Sequence, residues 1–153
     1  MDIHFAHKIW NELSIDEFHD LLKLRIDIFV VEQDCAYPEL DGLDKRAIHF
    51  LATQNDIIVG TARLFEPGVK QAEAVLGRLC VSKSYRGAGV AKGLIDARLT
   101  YLQEHFPKDN VFTSAQSYRE KTYHALGFET VSDEYVEDGI PHFDMILRRG
   151  SNA

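Results

Sequence analysis

The stretch that most constrains the fold is Leu76 to Ala91, L-G-R-L-C-V-S-K-S-Y-R-G-A-G-V-A, a strand running into a glycine-rich turn that opens a helix. Leu76, Leu79, Cys80 and Val81 supply apolar strand residues, and Arg86, Gly87, Ala88 and Gly89 form the turn. From Val90 the apolar residues recur at helical spacing: Val90, Leu94, Ala97 and Tyr101 share one face, and Ala91, Ile95 and Leu102 widen it. A helix N-terminus carries unpaired backbone N–H groups and a partial positive charge. Two glycines there let a phosphate approach the bare backbone, and Arg86 adds a fixed cation. The turn therefore suits a pyrophosphate. It is not the dinucleotide fingerprint, whose third glycine would fall at Lys92, and it lacks the Gly-Lys-Ser or Gly-Lys-Thr of a P-loop. What remains is Arg86-x-x-Gly89-x-Ala91.

Around this unit the chain alternates strands and helices. Residues 3 to 13 are predicted to hold the first strand, around Ile9 to Leu13. Ser14-Ile15-Asp16-Glu17 is a capping box, so a helix starts at Ser14, with Ile15, Phe18, Leu22 and Phe29 as its apolar face and Leu21 and Ile28 beside them. Arg25 falls on that side and needs a partner, for which Glu32 is the candidate. Glu32 to Asp44, with Pro38 and Gly42, reads as a short helix and a loop. Arg46–Ala52 and Ile57–Leu64 form a hairpin about Gln54-Asn55-Asp56, and Pro67-Gly68 turns the chain into a strand at about Glu73–Ser82. The helix from Ala88 runs to about Phe106, with Pro107 just beyond. A strand at Val111–Ala115 precedes a helix from Ser117 to Leu126, closed by Gly127. Phe128–Val136 and Pro141–Arg148 form a last hairpin across Asp138-Gly139, and the tail from Gly150 is expected to fray. Periodicity alone supports one α/β or α+β domain.

Composition limits the function. At 153 residues and 45% hydrophobic, the chain is one folded domain with one sizeable core. No apolar run reaches membrane-spanning length, and the N-terminus carries no signal-peptide segment, so a cytoplasmic protein is expected. The net charge of −7 argues against a nucleic-acid surface and is compatible with a cationic acceptor. Two cysteines, Cys35 and Cys80, suggest neither a disulfide framework nor a zinc site, and the seven histidines are scattered, so no metal is expected. Cys80 has no local base and reads as core. No segment marks an oligomer interface, so monomer and homodimer both stay open.

The Arg86-x-x-Gly89-x-Ala91 turn resembles the acetyl-CoA signature of the GNAT superfamily of N-acetyltransferases. Val111–Phe128, V-F-T-S-A-Q-S-Y-R-E-K-T-Y-H-A-L-G-F, resembles that family's fifth strand, fourth helix and following Gly-Phe, with Tyr123 four residues before Gly127. Leu24–Asp44 resembles the ElaA-like branch, as do Gly77-Arg78, Ala115-Gln116 and Gly139-Ile140-Pro141-His142. The resemblance covers nearly the whole chain. It implies a single GNAT-type domain over residues 1–153, with a mixed, mostly antiparallel sheet of about seven strands. About four helices flank that sheet, which splays between strands 4 and 5.

The resemblance also implies a site. The pantetheine arm of acetyl-CoA would pair with the backbone of Leu79, Cys80 and Val81, and an N–H of Cys80 or Val81 would polarise the thioester. Arg86, Gly87, Ala88, Gly89, Val90 and Ala91 would hold the pyrophosphate. Gln116 stands where many relatives have asparagine and would contact the pantetheine. Lys83, Lys92 and Lys121 could reach the 3′-phosphate or simply be solvated, and Arg119 reads as solvated. Tyr123 would be the general acid for the leaving thiolate. Glu32 is the first choice of base, with a salt bridge to Arg25 as its other reading; Glu39, Asp41, Glu137, Asp138 and His142 are alternatives. His49 reads as a satisfied strand histidine. The implied reaction is acetyl transfer to a primary amine of a small molecule, peptide or protein, and the alternative is a non-catalytic acyl-CoA-binding or sensing module. A nucleotide-binding protein built on the same glycine turn is a third reading, but no base- or ribose-recognising feature supports it.

Overall fold

Ser14 begins the first helix as its sequence demands. In a computed structural model describing residues 2–149, its hydroxyl accepts from the Glu17 N–H at 3.0 Å while the Glu17 carboxylate accepts from the Ser14 N–H at 2.9 Å. The tail from Gly150 lies outside the described residues. Helix α1 spans Ile15–Arg25 and continues as a π-wound segment, Ile26–Glu32. Its buried residues are Leu21, Arg25, Ile28 and Phe29: the predicted face keeps Phe29 and its flanking Leu21 and Ile28, while Ile15 is 89% exposed. The expected helix within Glu32–Asp44 is absent. Asp34 and Gly42 adopt positive φ there, which breaks helical winding, and the chain runs irregularly to a 3₁₀ turn at Asp44–Arg46.

Strand β1 spans His4–Ile9, not Ile9–Leu13; Trp10–Glu12 forms a 3₁₀ turn instead. Two of its rings pack on neighbouring elements: the His7 ring lies 5.2 Å from those of both Phe50 and Tyr101, and the Phe5 ring lies against Gly93. Strands β2 (Ile48–Gln54) and β3 (Ile57–Phe65) form the expected hairpin, with Asn55 and Asp56 at φ 51° and 65° as a tight primed turn requires. Then follow β4 (Ala74–Val81), α2 (Val90–His105), β5 (Val111–Gln116) and the short helix α3 (Glu120–Ala125). The last segment divides into β6 (Glu129–Thr130), β7 (Tyr135–Glu137) and β8 (Ile140–Leu147). The single sheet thus has eight strands, in the order β1-β2-β3-β4-β5-β8-β6, with β7 also on β8.

The sheet is antiparallel except at β4–β5, and this exception builds the site. The two strands pair only from Ala74–Val111 to Leu76–Thr113, then part. Beyond that point β4 carries a bulge: Arg63 opposes Gly77 but Thr61 opposes Cys80, and the extra residue, Arg78, sits at φ 50°. Helix α2 covers the other face with Val90, Leu94, Ile95 and Leu102, all buried. Gly60 permits this close seating. A Cβ there would stand 2.8 Å from Val90 Cγ1, 3.1 Å from Leu94 Cδ1 and 3.3 Å from the Cys80 carbonyl. Gly60→Ala is therefore expected to cost about 1–3 kcal/mol by overpacking, read as a lowered urea midpoint at unchanged m-value. Among the described residues no helix is long and apolar enough to cross a membrane.

Candidate active site

Where β4 and β5 part, two cavities meet. The larger, about 560 Å³, lies along Leu79, Cys80 and Val81 and ends at Arg86, Gly87 and Gly89. The other, about 350 Å³, runs between Gly77–Leu79 and Ser114–Gln116 and includes Tyr123 and His142. Phe29, Gln33, Leu79, Tyr118 and Arg119 line both. Gln33 and Gln116 exchange amide hydrogen bonds of 3.2 and 3.3 Å across this junction.

At one end stands the N-terminus of α2. Gly87 and Gly89 adopt φ 83° and 82°, and no side chain caps the helix. The first bond across a turn is Gly93 N–H to the Gly89 carbonyl, so the N–H groups of Val90, Ala91 and Lys92 have no partner within the helix. Arg86 donates from Nε to the Val81 carbonyl at 3.2 Å and from its terminal nitrogens to Glu32 at 2.6 and 2.8 Å. These hydrogen bonds hold the Glu32 carboxyl below its ordinary pKa and the Arg86 guanidinium above its own. Glu32 thus lines the cavity of the glycine turn, and the predicted Arg25–Glu32 pair does not form. Lys92 bonds Asp96 at 2.6 Å on the surface of α2.

Cys80 is fully buried, and desolvation pushes its thiol up to about 12, so no thiolate is available there. Tyr123 is 3% exposed with its ring edge-on to Phe128 at 5.2 Å. Its neighbour is Arg98, wholly buried on α2, which donates to the Leu94, Arg63 and Gly77 carbonyls at 3.2, 3.1 and 3.4 Å. Arg98 Nη2 has no partner. Burial lowers the Arg98 pKa, and interaction with Tyr123 offsets part of that fall. His142, 8% exposed, contacts the Ile140 carbonyl through Nδ1 at 2.7 Å; its Nε2 lies 3.9 Å from the Glu137 carboxylate. If Nδ1 carries the proton, as a carbonyl partner demands, Nε2 keeps a lone pair. Among the described residues no three His, Cys, Asp or Glu side chains gather as a metal site would need.

Below the second cavity lies a network absent from the sequence reading. Arg25 pairs with Glu39 at 2.6 Å and Asp44 at 2.7 Å; Arg63 reaches Asp41 at 2.8 Å and Asp44 at 3.0 Å; Arg78 reaches Glu39 at 2.9 Å. Asp44 is buried, which opposes its charge, but Arg25 and Arg63 outweigh that and lower its pKa. His49 closes the network from β2, bonding the Asp44 carbonyl at 2.8 Å through Nε2. Its Nδ1 is unpartnered, so the histidine is half satisfied rather than fully. Arg119, predicted to be solvated, is half-buried and sits over the Tyr118 ring at 5.1 Å in the wall shared by both cavities.

A splayed β4–β5 pair, an uncapped glycine-led helix beside it and a tyrosine in the gap define an acyltransferase fold. A family model described as an acetyltransferase (GNAT) domain matches residues 25–149, and the chain belongs to that family. It is similar to the protein ElaA of Escherichia coli, with 37% identity over 94% of this chain and 92% of that one. The E. coli ElaA crystal structure superposes with a TM-score of 0.89 at 35% identity, covering 96% of this chain and 100% of ElaA. An acyl-CoA N-acyltransferase from Pseudomonas aeruginosa superposes with a TM-score of 0.88 at 32% identity, covering 94% and 98%.

Proposed function

We propose that this chain transfers an acetyl group from acetyl-CoA to a primary amine of a small molecule or peptide by direct attack on the thioester. One observation carries the reading: two cavities meet over the parted strands, one ending at the uncapped α2 N-terminus and the other containing Tyr123. In this reading the pyrophosphate binds the N–H groups of Val90 and Ala91 and the turn Arg86-Gly87-Ala88-Gly89. The pantetheine follows Leu79, Cys80 and Val81 toward Gln116. Glu32 and Arg86 are each 40% exposed, so their ion pair is weak and yields readily to a phosphate.

An amine with a pKa near 10.4 is only about 0.04% neutral at pH 7, so its proton needs a route out. His142 Nε2 is the acceptor we assign, with Glu137 beside it to stabilise the imidazolium. Glu32, the first choice from sequence, is better employed as the counter-charge of Arg86: its lowered pKa makes it a weak base. The new N–C bond forms as the C–S bond breaks, and the Tyr123 hydroxyl donates its proton to the departing sulfur. Water then restores the tyrosine proton.

The test is thiol release from acetyl-CoA against a panel of amines, amino acids and peptides, with CoA affinity measured in parallel by calorimetry. Release that depends on an acceptor is expected. In Arg86→Glu, CoA affinity should fall at least about tenfold, the loss of one charge-assisted contact. Tight CoA binding without release for any acceptor would favour a binding module instead.

A further inference from the structure

The protein is acidic overall, at −7, yet the cavity that contains Tyr123 reverses that sign along one wall. Arg63, Lys70 and Arg78 converge there. Arg63 Cζ and Lys70 Nζ flank the Phe65 ring at 5.0 and 5.6 Å from its centroid. Arg63 is 2% exposed, its terminal nitrogens are taken by Asp41 and Asp44, and its Nε is buried without a partner. Arg78, at φ 50°, lines the cavity. It uses Nε on Glu39 and Nη2 on Asp41, which leaves Nη1 unengaged among the described residues.

Lys70 is an exposed lysine on this cavity's wall. It sits in the tight turn between β3 and β4, where Gly68 N–H bonds the Gln71 carbonyl at 2.8 Å and Val69 N–H the Glu66 carbonyl at 3.1 Å. Among the described residues it makes no ion pair; partial burial, then Arg63 and Arg78, lower its pKa, while Asp41 and Glu137 partly compensate. The three arginines beneath are already balanced by Glu39, Asp41 and Asp44. Lys70 is the charge left over. Across the cavity stand Glu137, Asp138 and His142. A site with cations on one wall and carboxylates on the other repels a plain alkylamine or polyamine from the first wall and suits a molecule carrying both signs.

We propose that the acceptor is a primary amine that also bears a carboxylate, an amino acid or a close relative, and that Lys70, with the free Nη1 of Arg78, forms its carboxylate subsite. The inference rests on the acetyl-transfer reading for its substrate role but is tested by binding as well. The wild-type protein saturated with CoA is titrated calorimetrically with L-phenylalanine, L-methionine, L-glutamate and L-lysine, and with the amide of each. At least one acid is expected to bind roughly tenfold or more tightly than its amide. Lys70→Met should bring that ratio near one, and Lys70→Glu should invert it.

Equal binding of every acid and its amide overturns the proposal, as does a preference that survives Lys70→Glu. Turnover separates the two readings. An acid-over-amide preference in binding without thiol release sinks the transferase reading and leaves the subsite. Thiol release that uses acid and amide alike sinks the subsite and leaves the transferase. A Lys70→Met defect confined to succinyl-CoA as donor, with acceptor preference intact, would assign the cation to the acyl group and likewise overturn the proposal.

Discussion

Arg25→Met should be the most destabilising single change, at about 3–5 kcal/mol, because it leaves buried carboxylates short of a counter-charge. Arg25 is 1% exposed, and its partners Glu39 and Asp44 are 4% and 3% exposed. Each carboxylate keeps one arginine, Arg78 for Glu39 and Arg63 for Asp44, but the cluster loses its balance of three cations and three anions. For a domain of this size the loss amounts to roughly 6–20 °C in the unfolding midpoint. A double variant, Arg25→Met with Asp44→Asn, removes the excess charge and should recover part of it; failure to recover any would mean that packing rather than charge dominates.

The pH dependence follows from the same groups. Asp41 and Asp44 both have pKa values depressed in the folded state: burial opposes the charge, but Arg63 bonding Asp41, and Arg25 with Arg63 on Asp44, outweigh it. A depressed carboxylate contributes stability above its unfolded pKa, near 3.9, and loses it as pH falls through the folded value. Wild-type stability should therefore hold at neutral pH and fall below about pH 4. In Arg25→Met the penalty should be largest at neutral pH and shrink as acid neutralises the unpaired charge. Urea unfolding from pH 7 to pH 3 reads both trends.

The parts of this design that sequence revealed are those fixed by neighbours in the chain. The Ser14 cap depends on Glu17, three residues on. The hairpin turn at Asn55-Asp56 depends on residues that tolerate positive φ. The glycine turn announces α2 because no other residue type suits φ near 80°. What stayed hidden is set by contacts across the sheet. Arg25 has Glu32 at a plausible spacing, yet its partners lie 14 and 19 residues away, beyond an irregular loop no periodicity describes. Glu32 finds Arg86 54 residues on. Nor does any local pattern show that Arg78, in an apolar strand, takes the extra place of a bulge. Lys70 drew no notice in the sequence because only the third dimension places it beside Arg63 and Arg78.

Tyr123→Phe should have the largest effect on turnover. If Tyr123 protonates the departing sulfur, removing its oxygen should lower kcat by about 10²-fold or more, within the usual range for a general acid. The substitution deletes one atom from a 97% buried ring whose contact with Phe128 survives, so the fold and the cavity stay intact. The polar neighbour of the phenolic oxygen is the Arg98 guanidinium, which stays in place on α2 through its bonds to the Leu94, Arg63 and Gly77 carbonyls. CoA affinity should therefore stay nearly constant while kcat and kcat/KM fall together, the pattern of an interaction made only in the transition state. Arg98 sharpens the expectation. A buried guanidinium beside a phenol favours the negative charge left on its oxygen after proton transfer, and among the described residues no carboxylate pairs with Arg98. An unaltered rate in Tyr123→Phe would remove the hydroxyl from the chemistry. A fall in CoA affinity equal to the fall in kcat/KM, with kcat preserved, would instead make it a binding contact.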